Sequence, residues 1–248
     1  MKRTIPFLVF VLVLALPNWM CKKDKGCNCF KGTGSIITEE RQLTQFKSVH
    51  IENDMNVFFQ EDTMQKITVE AGKNIISGIL TEIHGDSLKI RNKNKCNFLR
   101  RYDIPVNIYI HYVRNQFYEI RTTGSGLVTN TNACTSDSVD LESEGSAPIV
   151  FQMGGLCKTY THQHGAGDIT LTGSCDQVII YSKGSGFTIT DACTNNYSWV
   201  WTNTTGKITV HSIGLLITNI NGSGNIYYTG NPNTINNTEN STGRLLPL

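Results

Sequence analysis

Short runs in which apolar and polar residues alternate fill the chain from about residue 32 onward. The clearest are Ile104–Tyr112, Asp168–Thr172 and Val178–Ser182. Strict alternation is typical of β-strands that bury one face. Only Lys73–Leu80 carries a helical signal, and that signal is weak. The pattern therefore predicts an all-β protein.

Glycine-centred turns recur through the second half of the chain, and their first residues are 21, 20, 19, 21 and 17 positions apart. They are Gly124-Ser125-Gly126, Gly145-Ser146, Gly165-Ala166-Gly167, Gly184-Ser185-Gly186, Thr205-Gly206 and Gly222-Ser223-Gly224. A period near 20 with one turn type is the pattern of stacked repeats. It predicts a right-handed parallel β-helix, or a related β-solenoid, with rungs of about 20 residues and about five rungs. We expect the corner glycines to adopt positive φ.

Counting back from each turn assigns the side chains of a strand to its two faces. The predicted inward pairs are Val139/Leu141, Thr159/Thr161, Val178/Ile180 and Trp199/Trp201. The opposite face then carries an apolar and aromatic stripe, which is the candidate binding face: Tyr160, His162, Ile179, Tyr181 and Val200. If the tryptophans faced outward instead, Tyr197, Trp199 and Trp201 would form a platform for stacking sugars.

The N-terminus has the features of an export signal. Lys2 and Arg3 precede an apolar run, residues 5–16, that is too short to span a bilayer as a helix. The segment ends at Cys21 in a context that resembles a bacterial lipoprotein signal, which predicts lipidation of Cys21; an ordinary cleaved signal is the alternative. The predicted divisions are 1–21 signal peptide, 22–31 linker, 32–120 β-rich half, 121–232 solenoid half of the same domain, and 233–248 polar tail or end cap.

Charge and cysteine content exclude some partners and leave others open. The precursor has 22 basic and 20 acidic residues, a balance that lacks the basic excess of nucleic-acid-binding proteins.

The cysteines are the next candidates for a metal site or a cross-link. Cys27-Asn28-Cys29 is followed by no second cysteine or histidine pair at the spacing of a zinc site. Cys175 and Cys193, 18 positions apart, belong with Cys134 and Cys157 either to a buried ladder of small side chains or to a disulfide between rungs.

Two histidines are the residues to consider for a metal. His162 and His164 share a strand face, and a metal site there would need a third ligand such as Glu142 or Glu144. Histidines on exposed strands are commoner than metal ligands, so we predict no metal and no cofactor.

Catalytic residues are not predicted either. Asp168 and Asp191 are explained as residues that begin a strand or a turn. No two carboxylates are spaced so that they could work as an acid–base pair, and the sequence supports no Ser-His-Asp arrangement.

Motifs at both ends of the β-rich region occur in a fixed order. Gly32-Thr33-Gly34-Ser35-Ile36 and Arg41–Val49 begin it, the glycine turns follow, and Gly222–Pro232 ends it. This set, over roughly residues 32–232, resembles the head GIN domain family of putative autotransporter adhesins from Bacteroidetes-type bacteria. The resemblance implies an exported, often lipidated, all-β protein with a β-helix-like core. It implies no catalytic residue, cofactor or ligand to carry over. The chain departs from the regular pattern at Thr205-Gly206.

These features predict a non-catalytic cell-envelope lipoprotein that acts as a binding or adhesion module through its solenoid surface. The expected partner is a protein or a glycan, and the expected membrane contact is a lipid anchor in the outer membrane, with the domain in the periplasm or on the cell surface. One alternative is a structural envelope protein that self-associates into a homo-oligomer. A polysaccharide-active β-helix enzyme is the third hypothesis.

The anchor is tested by Cys21→Ala. This variant should move from the membrane to the soluble fraction, because lipidation at Cys21 is the only predicted attachment. Fractionation with a high-salt wash measures the shift, and Cys27→Ala is the control that should stay with membranes. A Cys21→Ala variant that still sediments with membranes would exclude the lipid anchor.

Overall fold

The computed structural model describes residues 32–95 and 104–248. In these ranges the chain forms β-strands and one 3-10 turn, Ile76–Gly78, which lies inside the segment with the weak helical signal. The strands are β1 (Ile36–Arg41), β2 (Ser48–Ile51), β3 (Asn56–Asp62), β4 (Lys66–Gly72), β5 (Ile79–His84), β6 (Ser87–Asn92), β7 (Asn107–Val113), β8 (Glu119–Thr122), β9 (Val128–Asn130), β10 (Ser138–Ser143), β11 (Ile149–Gly154), β12 (Lys158–Gln163), β13 (Ile169–Ser174), β14 (Gln177–Ser182), β15 (Thr188–Thr202), β16 (Ile208–Ile220), β17 (Ile226–Thr229), β18 (Thr234–Glu239) and β19 (Leu245–Pro247).

Several sequence predictions concern residues outside the described ranges. These are the signal segment with Cys21, the linker 22–31, and the pair Cys27 and Cys29. Within the described ranges, no helix has the length and apolar character needed to cross a membrane.

The strands stack along the solenoid axis in two columns, which we call stack A and stack B. Stack A runs β5–β6–β2–β8–β10–β12–β14–β15–β16–β18. Stack B runs β1–β4–β7–β3–β9–β11–β13–β15–β16–β17–β19. The long strands β15 and β16 pass through both, with their N-terminal parts in stack B and their C-terminal parts in stack A. The all-β solenoid prediction is confirmed, with about six turns of about 20 residues.

The two ends of the solenoid are closed differently. At the N-terminal end β1 pairs with β4, β4 with β7, and β5 with β6, all antiparallel, whereas the pairings of the solenoid turns are parallel. In stack A, β8 pairs with β2 and with β10, and in stack B, β9 pairs with β3 and with β11, so both stacks continue across residue 120. The two predicted halves therefore share one hydrogen-bonded framework.

Residues 233–248 form the last turn of the solenoid, so their description as a polar tail is wrong and the end-cap alternative fits. β18 and β19 continue the parallel pairing of β16 and β17. The inward positions of β18 include Asn237 and Glu239, which lie opposite Thr218 and Ile220. Asn237 Nδ2 donates to Glu239 Oε1 at 3.0 Å, and the same oxygen accepts from the Leu245 N–H at 3.0 Å. These hydrogen-bonded polar side chains, together with Ile235 and Leu245, thus cover the end of the apolar core.

The corner glycines are required by close backbone approach rather than by positive φ. A Cβ on Gly165 would lie 2.0 Å from the carbonyl oxygen of Gly145, and one on Gly184 would lie 2.0 Å from that of Gly165. The corners are this close because they hydrogen-bond directly: the Ala166 N–H donates to Gly145 O at 2.8 Å. The glycines with positive φ lie elsewhere, at Gly34, Gly85, Gly155, Gly173 and Gly230.

The core lies between the two stacks. Three of the four predicted inward pairs are buried there as expected, those of β10, β12 and β14. The N-terminal turns are filled by large aromatic side chains; the ring centroids of Phe59 and Phe117 are 5.5 Å apart, and those of Tyr112 and Phe117 are 5.1 Å apart. Later turns use smaller side chains, including buried threonines such as Thr159 and Thr188.

The fourth predicted pair is wrong, because the register of β15 differs from the prediction by one residue. Ile180 of β14 lies opposite Val200, and Val200 is fully buried. Trp199 and Trp201 therefore face outward, and Val200 does not belong to the outer stripe.

The physical reason lies in the glycine turn that follows β15, from which the faces of that strand were counted back. The sequence prediction aligned Thr205 with Gly184 of the previous turn, which is a step of 21 residues. In the structure Gly206 stacks on Gly186, which is a step of 20 residues. Side chains alternate with a period of two, so a slip of one residue exchanges the two faces of the whole strand.

The corrected register is tested by comparing Val200→Asp with Trp199→Ser. The first places a carboxylate in the closed core and should lower the free energy of unfolding by on the order of 3 kcal/mol or more. The second removes an outward side chain and should cost much less. Urea denaturation measures both variants, and the reverse order of stability would restore the original assignment of faces.

Candidate functional site

The outer side of stack A carries a contiguous group of aromatic and apolar side chains on β12, β14 and β15. Because these strands pair in parallel and in register, their outward residues form two rows with neighbours about 4.8 Å apart. One row is Tyr160, Ile179 and Trp199, and the next is His162, Tyr181 and Trp201. We call these six residues the aromatic field. Ile179 is 9% exposed and the other five are half-buried.

The rings of the aromatic field contact one another across the strands. His162 and Tyr181 are stacked, with centroids 5.0 Å apart and planes inclined by 8°. Tyr181 also meets Trp199 at 4.9 Å and 59°, and Trp201 at 6.5 Å and 41°. Tyr181 is thus the centre of the field, and its neighbours hold its ring in place.

Two lysines lie against this field. Lys158 Nζ is 5.0 Å from the ring centroid of Tyr160, and Lys183 Nζ is 5.3 Å from that of Trp201. Ammonium groups over aromatic faces are attracted by the ring quadrupole. The field therefore presents aromatic rings with positive charge beside them.

Acidic side chains border the field on the side of β8 and β10. We call Glu119, Asp140, Glu142 and Glu144 the acidic border. Arg121 neutralises part of it: Nη2 is 2.7 Å from Glu144 Oε1, and Nε is 3.5 Å from Glu142 Oε2. Burial raises the pKa of Glu119, and the charges of Asp140 and Glu142 raise it further, which indicates an excess of negative charge here.

His162 joins the border to the field. Its Nε2 lies 3.4 Å from Asp140 Oδ2, and this hydrogen bond raises the pKa of His162 above 6.5 although burial opposes the shift. His164 Nε2 lies 3.9 Å from Glu142 Oε1. In the part of the chain that the structure describes, no three His, Cys, Asp or Glu side chains converge as metal ligands.

Carboxamides border the field on its other side, where β16 and β18 complete stack A. Asn240 Nδ2 donates to Asn221 Oδ1 at 2.9 Å and to Asn219 Oδ1 at 3.2 Å. Ile217 and Asn219 of β16 lie opposite Trp199 and Trp201, so the carboxamide group adjoins the field directly. The outer face of stack A thus changes along the solenoid axis from charged, through aromatic, to carboxamide.

The structure brings together four of the five residues predicted for the binding face: Tyr160, His162, Ile179 and Tyr181. Val200 is excluded because it lies in the core. The prediction placed Trp199 and Trp201 in the core and gave their outward orientation only as the alternative, and it missed the two lysines and the acidic border as a group. Aligning Gly206 with Gly186 would have found the tryptophans, whereas contacts of lysines and carboxylates between turns have no signal in a single sequence.

The two aspartates considered for catalysis have structural roles in stack B. Asp168 Oδ1 accepts the N–H of Phe187 at 2.7 Å, which fixes the start of the next turn. Asp191 accepts a hydrogen bond from the hydroxyl of Thr209 on the neighbouring strand. Both carboxylates therefore hold one turn of the solenoid against the next.

A cavity of about 890 Å³ lies beside the corners of the first turns. Its lining mixes polar side chains, such as Glu52, Asn56 and Asn92, with apolar ones such as Met55 and Val106. No residue of the aromatic field lines it.

Comparison with known proteins identifies the fold and the family. The model of the family described as "Putative auto-transporter adhesin, head GIN domain" matches residues 45–232. A solved structure of a putative adhesin from Bacteroides fragilis is 20% identical, with a TM-score of 0.77 over 88% of this chain and 99% of that one. No curated protein matches the chain.

Two further solved structures share the fold. A putative adhesin from Parabacteroides merdae is 12% identical, with a TM-score of 0.65 over 88% of this chain and 98% of that one. A putative lipid binding protein from Parabacteroides distasonis is 19% identical, with a TM-score of 0.61 over 86% and 98% of the two chains.

The contact between His162 and Asp140 is tested by titration. Asp140→Asn should lower the pKa of His162, because the hydrogen bond to the carboxylate is lost while the burial remains. NMR measures the pKa, and Asp137→Asn is the control that should leave it unchanged. Since the pKa is raised on folding, His162 should stabilise the protein below about pH 6.5, and this contribution should disappear as the pH rises through the folded-state pKa. An unchanged His162 pKa in Asp140→Asn would contradict this contact.

Proposed function

The chain belongs to the head GIN domain family of putative auto-transporter adhesins, and from this premise we propose that it is a non-catalytic adhesion module of the cell envelope. The observation that carries the proposal is the aromatic field on the outer side of stack A. We assign the binding of a partner to this surface. The family description and the relatives named as adhesins support a role without catalysis.

The chemistry of the field suits adhesion. Tyrosine and tryptophan supply large contact areas at little cost in conformational entropy, and they dominate the energetics of binding surfaces. The rings of Tyr181, Trp199 and Trp201 already contact one another, so little ordering remains to be done on binding. Contiguous aromatic surface of this kind is typical of interaction sites, which supports this assignment.

The partner that fits best is a neutral glycan. Aromatic rings stack against the C–H faces of sugars, and the bordering carboxylates and carboxamides can hydrogen-bond sugar hydroxyls. The acidic border offsets the two lysines and the carboxamides are neutral, so the face has no excess of positive charge to attract a polyanion. We therefore expect the affinity to depend weakly on salt.

A second candidate is self-association through the same face, and the charge pattern favours it specifically. The acidic border lies on one side of the field, and Lys158 and Lys183 lie within it. Two copies related by a two-fold axis would place the border of each against the lysines of the other. Such a contact would weaken as the salt concentration rises, unlike the binding of a neutral glycan.

Attachment to the envelope belongs to the same proposal. The apolar segment before Cys21 supports export and a lipid anchor in the outer membrane. The adhesion domain begins after this anchor, with its first strand at Ile36. We therefore propose that the lipid holds the solenoid at the membrane while the outer side of stack A meets the partner.

The proposal is tested by removing the centre of the field. Tyr181→Ala with Trp199→Ala should weaken binding to a glycan array by at least about tenfold, which corresponds to about 1.4 kcal/mol. The matched control is Phe58→Ala with Tyr109→Ala, which removes a stacked, half-buried pair with centroids 5.2 Å apart from the outer side of stack B. The control should bind like the parent. Melting curves establish that both double variants are folded.

Sedimentation velocity of the parent at low and high salt tests the second candidate. Self-association that disappears in high salt and in the Tyr181/Trp199 variant would favour the homo-oligomer. Glycan binding with no such association would favour adhesion. The proposal is wrong if the parent neither binds a glycan nor self-associates, or if both double variants behave like the parent.

A further inference from the structure

Four cysteines on the inner side of the solenoid have no role in the proposed adhesion. Cys134, Cys157, Cys175 and Cys193 are all buried and unbonded. Cys175 lies between β13 and β14, one turn before Cys193 of β15, and the two sulfur atoms are 3.5 Å apart. The N–H of Cys175 donates to Thr194 O at 3.0 Å, which ties the two turns together at this point.

We propose that Cys175 and Cys193 form a disulfide that cross-links two successive turns of the solenoid when the chain folds in the presence of a disulfide donor. This inference does not depend on the proposed function. It concerns the core, and adhesion through the aromatic field can fail or succeed without it.

The geometry selects this pair. A disulfide has an S–S bond of about 2.0 Å, so the two sulfurs need to approach by only about 1.5 Å from their present separation. The backbones are already held together by parallel pairing, since Gly173 lies opposite Cys193 and Ser174 opposite Thr194. Adjacent strands about 4.8 Å apart lie within the range that a disulfide spans.

Cys157 is the competitor for Cys175. Its sulfur makes a different contact, to Thr159 Oγ1 at 3.6 Å. It also affects the Cys175 thiol: a hydrogen bond from Cys157 lowers the pKa of Cys175, but the hydrogen bond to Cys193 and burial outweigh it and raise that pKa to about 12. Thiolate is therefore scarce in the closed fold, and the bridge should form during folding rather than after it.

Oxidation of the two thiols to a disulfide requires one disulfide donor, such as oxidised glutathione or a disulfide oxidoreductase. In the closed fold Cys175 is 5% exposed and Cys193 is 0% exposed, so Cys175 is the thiol that stays within reach of a donor for longer as the chain folds. Its thiolate attacks the donor disulfide, forms a mixed disulfide and releases one donor thiol. The Cys193 thiolate then attacks the Cys175 sulfur and releases the second donor thiol. The two cysteines lose two electrons and two protons, and the donor gains them.

The bridge would close a loop that contains β14, the turn at Gly184 and the first part of β15. Tyr181 lies inside this loop, and Trp199 follows it on the same strand as Cys193. The cross-link therefore fixes the register of the two strands that carry the centre of the aromatic field.

Peptide mapping distinguishes the candidate pairs, because trypsin places Cys175 and Cys193 on separate peptides and leaves Cys134 and Cys157 together on a third. Cleavage after Arg121, Lys158, Lys183 and Lys207 gives peptides 122–158, 159–183 and 184–207. The full chain is refolded with oxidised and reduced glutathione, unfolded without reductant, alkylated and digested. We expect 159–183 joined to 184–207. Linkage of 159–183 to 122–158, or alkylation of both Cys175 and Cys193, would overturn the proposal.

A second experiment compares the melting temperatures of the oxidised and the reduced protein for the parent and for each variant. The parent should show a gap of roughly 5–10 °C, since a bridge across 18 residues restricts the unfolded chain. Cys193→Ala should abolish this gap, whereas Cys134→Ala, which removes another buried thiol, should retain it. The gap is measured within each variant, so a general loss of stability does not affect the comparison. An equal gap in Cys193→Ala and the parent would overturn the proposal.

Discussion

From β8 to β17, each strand finds its backbone hydrogen-bond partners one turn earlier and one turn later along the chain. β12, for example, lies between β10 and β14 with every residue in register. This pairing can repeat only if the corners also stack, and a Cβ at Gly165 would collide with the preceding corner. The glycine turns therefore set the length of each turn, and the length of the turn sets the register of the strands that follow.

A fixed register turns positions along the sequence into columns of side chains. On the outer side of stack A the column through Asp140, Tyr160, Ile179 and Trp199 passes from the acidic border into the aromatic field. Inside, the same repeat brings Cys175 to Cys193. Recognition chemistry and the capacity for a cross-link are thus two consequences of one stacking geometry. A surface built on paired strands is also rigid before a partner arrives, which reduces the entropic cost of binding.

The sequence was sufficient for the fold class, because alternation and a glycine period near 20 are local signals. It also identified most of the candidate face, since Tyr160, His162, Ile179 and Tyr181 lie on turns with regular spacing. It failed where the period changes. The turn at Thr205-Gly206 lacks the first glycine, and the resulting slip of one residue placed Val200 outside and the tryptophans inside.

Other errors arose where polar composition obscured a structural role. The last turn of the solenoid resembles a tail because its inward-facing positions include the polar Asn237 and Glu239, and only the paired strands show that it forms a cap. The acidic border and the lysines of the aromatic field depend on contacts between turns. A single sequence does not specify such contacts, because the rotamers of long charged side chains are set by their neighbours.

The central claim is that β15 presents Trp199 and Trp201 outward and Val200 inward. Cysteine substitution at these three positions tests it most directly. Each folded variant is treated with a water-soluble maleimide, and label is measured on the tryptic peptide 184–207, where the native Cys193 is fully buried. The register predicts rapid labelling of Trp199→Cys and Trp201→Cys and protection of Val200→Cys. Rapid labelling of Val200→Cys with protection of its two neighbours would contradict the account.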